Sequence, residues 1–289
     1  MSTASINGFE MHYETRGEGF PLVYIHGGFG GLGTGLEPET PPQPERLAGH
    51  FKLITYHRRA AGRPSYPEEG FTMQNLARDL RELLLYLGHD RTHVWGHSAG
   101  GHIALAFGLQ YPEATAGLVI TESAPWLSPD EELKDKLRQR IGILNEKGPE
   151  AAYEARATGG TVGLNLFAGR PERSQGESRP REQAMERIRA QLREIPREER
   201  IAKYAGELRN YSAYVDWDAT PRLKDMKPPT FILYGTEDTT FPAQGSRSMT
   251  QLIPNVESKA FPGAEHGVIQ LPEAIELVLS FLQRHTPPQ

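Results

Sequence analysis

The chain has 289 residues, of which 37% are apolar and 24% are charged, and its formal net charge is −5. This composition excludes a disordered chain and shows none of the basic excess that nucleic-acid binding requires. Cysteine is absent, which excludes a cysteine nucleophile, thiolate metal sites and disulfides. No apolar stretch approaches the ~18 residues of a membrane span and no secretory signal is visible, so we expect no membrane partner and a cytoplasmic location.

Strand and helix patterns alternate in the first half of the chain, which predicts an α/β fold with a mostly parallel sheet. Residues 5–15 predict a hairpin with Asn7-Gly8 as its turn. Two apolar runs, 22–25 and 52–56, predict buried strands. The segment between them, 33–44, contains four prolines and is expected to be an irregular loop.

A helix is predicted from Thr72, which can cap its N-terminus, to Gly88, which can end it. A strand over 92–96 and a helix that stops before Pro112 should follow, and the next strand is predicted over 117–121. Sheet and helix patterns return near the C-terminus, at 230–234, 244–252, 256–261 and 274–284.

Charged residues make up more than a third of the segment from 126 to 222. This density predicts solvated helical material outside the sheet, with a mobile loop over 169–183. The predicted organisation is therefore one α/β core, residues 1–123 and 222–289, interrupted by an insertion over 124–221.

Residues 96–100 read Gly-His-Ser-Ala-Gly, which fits G-x-S-x-G with a strand before it and a helix after it. A serine on such a sharp strand-to-helix turn is held in a strained backbone conformation that exposes its hydroxyl. The helix N-terminus beneath it offers free N–H groups to a developing oxyanion. Ser98 is therefore the predicted nucleophile.

A serine nucleophile requires a base, and the base requires a carboxylate that orients it. Asp238 follows the strand predicted at 230–234, and His266 follows the strand predicted at 256–261. Both therefore lie at the carboxyl edge of a parallel sheet, where Ser98 also lies and where such sheets place their sites. We predict Asp238 as the acid and His266 as the base.

Two backbone N–H groups are predicted to form the oxyanion hole, those of Ala99 and Gly28. The glycines from Gly28 to Gly33 also fit the dinucleotide pattern G-x-G-x-x-G, but prolines follow where a helix would have to begin. His93 and His97 are four residues apart on a strand rather than on a helix. We therefore expect neither a cofactor nor a metal.

Five stretches resemble the α/β-hydrolase superfamily over nearly the whole chain: HGGFGG, YHRRAAGRPS, GHSAGG, GTEDTTFP and GAEHGVIQLPE. The resemblance implies Ser98 as nucleophile, Asp238 as acid, His266 as base, Gly28 and Ala99 as oxyanion donors, and the insertion as a helical cap. Related haloalkane dehalogenases and epoxide hydrolases use an aspartate nucleophile, so Ser98 disfavours those activities.

The chain departs from the family pattern at His57, where an aspartate is common, and at residues 60–62, where Gly-x-Gly is common. Glu122 closes a strand and is the alternative triad acid, because enzymes resembling zearalenone lactonases draw the acid from this strand. Phe29, His97 and Trp126 are expected substrate contacts. The pair Arg58-Arg59 is interpreted as a strand-end ion pair, with an anionic substrate group as the alternative partner.

The expected function is a serine hydrolase that cleaves a small to medium carboxylic ester or lactone through an acyl-enzyme. Three other activities fit the same triad, namely carbon–carbon bond hydrolysis, thioester hydrolysis and proline iminopeptidase activity. A ligand sensor on this fold and a nicotinamide oxidoreductase are weaker alternatives. The expected partner is a small-molecule substrate, and the sequence leaves the oligomeric state open.

Overall fold

The computed structural model describes residues 2–30, 42–61, 67–158, 190 and 193–288. Eight strands in this part of the chain form one sheet in the order β1-β2-β4-β3-β5-β6-β7-β8. Their bounds are Ser2–Ile6 (β1), Phe9–Arg16 (β2), Pro21–Ile25 (β3), Lys52–Tyr56 (β4), Thr92–His97 (β5), Thr115–Thr121 (β6), Thr230–Gly235 (β7) and Val256–Phe261 (β8). β2 pairs antiparallel with β1 and β4, and every other pairing is parallel. The predicted mostly parallel α/β sheet is confirmed.

Seven α-helices connect or follow these strands in the described residues. They are Pro42–Glu45 (α1), Met73–Tyr86 (α2), Ala99–Gln110 (α3), Glu131–Thr158 (α4), Arg197–Tyr214 (α5), Ala243–Leu252 (α6) and Pro272–His285 (α7). The irregular loop predicted over 33–44 is wrong at its end, because residues 42–44 belong to α1. Proline is tolerated there since the first turn of a helix needs no backbone N–H. Residues 33–41 of that prediction and the loop predicted over 169–183 lie outside the described residues.

Local sequence signals account for the elements that lead into the sheet. Asn7 and Gly8 both have positive φ, 44° and 84°, which is the backbone of the predicted two-residue hairpin turn. Thr72 Oγ1 accepts a hydrogen bond from the Asn75 N–H at 3.2 Å and caps α2. Gly88 lies just beyond the end of that helix at φ 77°, as predicted.

The sheet is covered by apolar side chains on both faces. One face carries Val23, Ile25 and Val94 against helices α2, α3 and α6, and the other carries Tyr24 and Trp95 against α7. Every residue of β3, β6 and β7 is buried, as expected for parallel strands that are covered on both sides. The rigid sheet therefore fixes the positions of the loops at its carboxyl edge.

The segment between β6 and β7 contains the long helices α4 and α5. α4 breaks at Gly148, where φ is 85°, directly before Pro149. Buried side chains of the two helices, together with Ile195 just before α5, form a small cluster of their own: Leu144, Ala152, Ile195, Tyr204, Ala205 and Leu208. None of the described helices combines the length and hydropathy that crossing a membrane requires.

Burial is the main cause that lowers the pKa of several histidines, among them His26, His93 and His102 in the core. The pKa of His93 falls to about 3, that of His102 falls to about 4, and that of His26 falls well below its ordinary value. Below about pH 6.5 the unfolded chain therefore binds a proton at each position that the native chain does not bind. Stability is lost as the pH falls from about 6.5 towards 4, by up to about 1.4 kcal/mol per pH unit for each histidine.

We expect the free energy of unfolding, measured in urea, to decrease steadily between pH 6.5 and pH 5. In the variant His93→Gln this pH slope should be shallower, because one of the histidines whose pKa is lowered by burial is gone. His50 is exposed, so His50→Gln should leave the slope at the wild-type value. Equal slopes in the wild type and in His93→Gln would contradict this account.

Candidate active site

Ser98 lies at the turn between β5, which ends at His97, and α3, which begins at Ala99. Its φ is 53° and its ψ is −124°, a left-handed backbone that is strained for a residue with a side chain. The glycines on either side permit this turn. A Cβ on Gly96 would lie 2.5 Å from the carbonyl oxygen of Gly100, and a Cβ on Gly100 would overlap that of Ile25. The turn that the G-x-S-x-G pattern predicted is therefore present.

His266 and Asp238 form a hydrogen-bonded pair at the same edge of the sheet. The His266 Nδ1 lies 2.7 Å from Asp238 Oδ2. The other oxygen, Oδ1, accepts from the backbone N–H groups of Thr240 at 2.7 Å and Phe241 at 3.0 Å. Asp238 is buried, so these contacts hold the carboxylate in one orientation. A carboxylate in this position holds Nδ1 in its protonated form and leaves Nε2 as the acceptor.

His97 lies next to both Ser98 and His266. The imidazole centroids of His97 and His266 are 5.6 Å apart, and His97 directly precedes Ser98. Among the hydrogen bonds formed by the described residues there is none between the Ser98 hydroxyl and His266. Nucleophile and base often make their hydrogen bond only when substrate is present.

Glu122 directly follows β6 and has a positive φ of 55°, and its side chain is wholly buried. One carboxylate oxygen accepts from the Val268 N–H at 2.6 Å and from the Gly267 N–H, and the other accepts from Ile269 at 3.3 Å. The carboxylate therefore anchors the backbone directly after His266. His266 Nδ1 contacts Asp238 and not Glu122, which favours Asp238 of the two predicted acids.

Ligating atoms of Glu122, Asp238 and His266 all lie within 4.8 Å of one another, close enough to hold a cation. Each of the two carboxylates, however, accepts hydrogen bonds from two or three backbone N–H groups. The arrangement is therefore better suited to orienting the imidazole than to binding an ion.

Residues 26–30, which we call the oxyanion loop after the role predicted for Gly28, follow β3. A Cβ on Gly27 would lie 3.0 Å from the Cβ of Ser98, so this loop lies directly against the serine. Gly28 has a φ of 73°, which glycine adopts without strain. Both predicted oxyanion donors therefore belong to backbone next to Ser98: Ala99 is the next residue, and Gly28 follows Gly27, which packs against the serine.

The three predicted substrate contacts lie in different surroundings. Phe29 stacks on Tyr211 with the ring centroids 4.4 Å apart. His97 Nδ1 lies 3.2 Å from Thr121 Oγ1, and its pKa is lowered to about 3 by burial and, to a smaller extent, by His266. Trp126 forms an isolated backbone bridge with Asp218, and its ring faces Gly245 of α6. Of the three, His97 is the one that contacts predicted triad residues in the described structure: its ring lies against His266, and its Nδ1 lies 3.5 Å from Glu122 Oε2.

The adjacent arginines Arg58 and Arg59 have different partners. Arg59 binds the Asp79 carboxylate through Nε at 2.6 Å and through Nη2 at 2.9 Å, which confirms the ion pair for this residue. Arg58 instead donates to the Tyr214 hydroxyl at 2.8 Å and to the carbonyl oxygens of Gly27 and Gly28. Sequence reasoning considered the arginines together and missed this contact with the oxyanion loop.

The residues that depart from the family pattern, His57 and residues 60–62, come just after the end of β4 in the chain, as do the two arginines. His57 is buried, with its ring centroid 5.9 Å from that of His12. Ala60 has a φ of 50° at a position where the resemblance leads us to expect glycine. The left-handed backbone is therefore kept at this position in spite of a side chain.

Comparisons with known proteins agree with this architecture. A family described as "alpha/beta hydrolase fold" matches residues 21–270. The RutD protein of Caulobacter vibrioides, to which carbamate hydrolysis is provisionally assigned, is 27% identical over 98% of both chains. An esterase from Thermogutta terrifontis is 22% identical with a TM-score of 0.69, covering 99% of both chains. An enol-lactonase from Burkholderia xenovorans is 21% identical with a TM-score of 0.69, covering 98% of this chain and 100% of its own. This chain belongs to the alpha/beta-hydrolase fold family.

Proposed function

We propose that this hydrolase cleaves small to medium carboxylic esters or lactones through an acyl-enzyme on Ser98. The observation that carries the proposal is the strained turn at Ser98, at the sheet edge where His266 is paired with Asp238 at 2.7 Å. An esterase and an enol-lactonase among the similar structures agree with this substrate class. The substrate is a small molecule, and the proposed chemistry needs no cofactor.

In the proposed mechanism the Ser98 hydroxyl attacks the substrate carbonyl while His266 Nε2 takes its proton. Asp238 stabilises the imidazolium that forms. The N–H groups of Gly28 and Ala99 stabilise the oxyanion, and losing one such donor typically costs ~10²–10³ in rate. His266 then protonates the leaving alcohol, and water activated by the same imidazole releases the acid. The step requires Ser98 and His266 to come within hydrogen-bond distance when substrate binds.

The segment over 124–221 is proposed to act as a helical cap on the core formed by residues 1–123 and 222–289. Its helix α5 contributes Tyr211 and Tyr214, whose rings pack against Phe29 with centroids 4.4 and 5.0 Å away. Since Phe29 belongs to the oxyanion loop, α5 lies next to the proposed site. A cap in this position would form one wall of the acyl pocket.

Carbamate hydrolysis is the second candidate, because similarity to RutD extends over 98% of the chain. A carbamate carbonyl is open to the same serine attack and differs from an ester carbonyl in carrying a nitrogen in place of carbon on its acyl side. Carbon–carbon, thioester and prolyl amide cleavage are further alternatives that use the same three residues.

A substrate panel tests the proposal. It contains p-nitrophenyl acetate, butyrate and octanoate, γ-butyrolactone, an aryl carbamate and prolyl p-nitroanilide. We expect the highest kcat/KM on a short ester or the lactone, and we expect a fluorophosphonate probe to label Ser98, as located by peptide mass spectrometry. A turnover below about one per minute on every compound, against a usual ~1–10³ per second, would favour a ligand sensor instead.

A further inference from the structure

We propose that Arg58 is a positioning residue of the oxyanion hole, which it connects to helix α5. The inference rests on the proposed function, because it concerns how the Gly28 N–H is held for the oxyanion. Arg58 follows β4 and is 4% exposed. No carboxylate in the described part of the chain pairs with it, although its neighbour Arg59 has one. A buried guanidinium without a counter-ion is costly and requires good hydrogen-bond acceptors.

The acceptors of Arg58 are the carbonyl groups of the oxyanion loop. Nη2 donates to the Gly27 oxygen at 3.2 Å and to the Gly28 oxygen. Nη1 donates to the Tyr214 hydroxyl at 2.8 Å. Both terminal nitrogens of the guanidinium are therefore engaged, which leaves only Nε without a partner in the described structure.

Because a peptide unit is planar, a contact that fixes its carbonyl group also fixes the direction of its N–H group. In a trans peptide the C=O and the N–H of one planar unit point in opposite directions. The Gly27 carbonyl shares its unit with the Gly28 N–H, and the Gly28 carbonyl shares its unit with the N–H of Phe29. One guanidinium that holds both carbonyls therefore turns both N–H groups away from itself. Its positive charge also polarises the two units, which strengthens their N–H groups as donors.

The oxyanion loop depends on such an anchor because its glycines have no side chains that could fix their peptide planes. Gly28 and Gly30 have φ values of 73° and 77°, a region that glycine adopts without strain and that other residues rarely adopt. His26 Nδ1 also bonds the Gly27 carbonyl, at 2.7 Å. The pKa of His26 is lowered mainly by burial and also by Arg58, so a neutral imidazole supports the same carbonyl without repelling the guanidinium.

Tyr214 extends the contact to the inserted segment. It lies in the last turn of α5, and its ring also packs edge-on against Phe29. The position of α5 therefore affects Arg58 through a hydrogen bond and affects the oxyanion loop through an aromatic contact. Displacing this helix would release both contacts together.

The test compares Arg58→Met, Arg58→Lys and Tyr214→Phe with the wild type on p-nitrophenyl butyrate and on mono-p-nitrophenyl succinate, an ester that carries a carboxylate. For Arg58→Met we expect kcat to fall about 10²-fold, comparable to losing one oxyanion donor, with KM changed less than about threefold. The loss should be equal on both esters. The Ki of a trifluoromethyl ketone, which forms an oxyanion adduct on the serine, should rise by a similar factor.

Arg58→Lys should recover part of the rate, because an ammonium can still donate to the two carbonyls. Tyr214→Phe should lower kcat about three- to tenfold. Because it keeps the charge of the site and nearly its volume, this variant still tests the inference if Arg58→Met does not fold. Arg16 is an exposed arginine on β2 paired with Glu14 and Glu45. Arg16→Met is therefore the matched control and should leave kcat unchanged.

Three outcomes would overturn the inference. A loss confined to the succinate ester would make Arg58 a receptor for a substrate carboxylate. A lower melting temperature with kcat unchanged would make it a structural residue only. Unchanged kcat in both Arg58→Lys and Tyr214→Phe would also contradict a positioning role. Absence of ester turnover in the wild type would instead contradict the proposed function, and the inference with it.

Discussion

Replacing Ser98 with alanine is expected to lower kcat on the best ester by about 10⁴- to 10⁶-fold, the largest loss of any single change in this chain. In the proposed mechanism the hydroxyl oxygen of Ser98 bonds to the substrate carbonyl carbon, and no neighbouring group is expected to take its place. The residual rate should reflect only oxyanion stabilisation and binding. The measurement is the initial rate under saturating substrate, with the fraction of active enzyme counted by fluorophosphonate titration of the wild type.

Alanine has the same backbone requirements as serine at φ 53°, so the melting temperature of Ser98→Ala should stay close to that of the wild type. Ser280 lies exposed on α7 and serves as the control. Ser280→Ala should retain full activity and full labelling, whereas Ser98→Ala should lose both. Fluorophosphonate labelling that persists in Ser98→Ala, or a kcat within tenfold of wild type, would exclude Ser98 as the nucleophile.

The second large effect is expected at Asp238. Asp238→Asn should lower kcat by about 10⁴-fold, because an amide in place of the carboxylate favours the wrong tautomer of His266 and cannot stabilise the imidazolium. The two backbone N–H groups that hold Oδ1 can still bond the asparagine oxygen. We therefore expect the fold to be retained, with KM changed little.

Glu122→Gln provides the matched comparison, since it makes the same change of carboxylate to amide at the other acid. Here the amide nitrogen cannot accept one of the backbone N–H groups of residues 267–269, so we expect a loss of about 1–3 kcal/mol in the free energy of unfolding. Turnover should stay within about tenfold of wild type. If Glu122→Gln abolished turnover while Asp238→Asn stayed near wild type, the two acids would have to exchange roles.

Much of the fold could be predicted because its signals are local. A short buried strand is visible in the sequence as a run of apolar residues. Asn7-Gly8 specifies the turn between β1 and β2 through the positive φ values that both residues adopt. The positions of Ser98, Asp238 and His266 were predictable for a related reason. Each follows a strand of a parallel sheet, and the carboxyl ends of such strands share one edge.

The contacts that depend on distant segments could not be predicted. Arg58 and Arg59 are identical in type and adjacent, yet one pairs with α2 and the other with a tyrosine 156 positions further along the chain. The sequence likewise showed an acid at Glu122 but could not show what it binds. Whether that carboxylate meets an imidazole or the backbone depends on the path of residues 267–269, which only the packed structure specifies.

Glu122, which holds the backbone of residues 267–269, also offers a second carboxylate near His266. Two carboxylates that follow different strands lie within 4.8 Å of a single imidazole, one hydrogen-bonded to the ring and the other to the backbone next to it. A related chain in which the imidazole of His266 turned towards Glu122 would need no new acidic residue, because the Glu122 carboxylate is already present. If Asp238 is the triad acid, as we propose, few substitutions would separate this site from one that uses Glu122, and the sheet would not need to change.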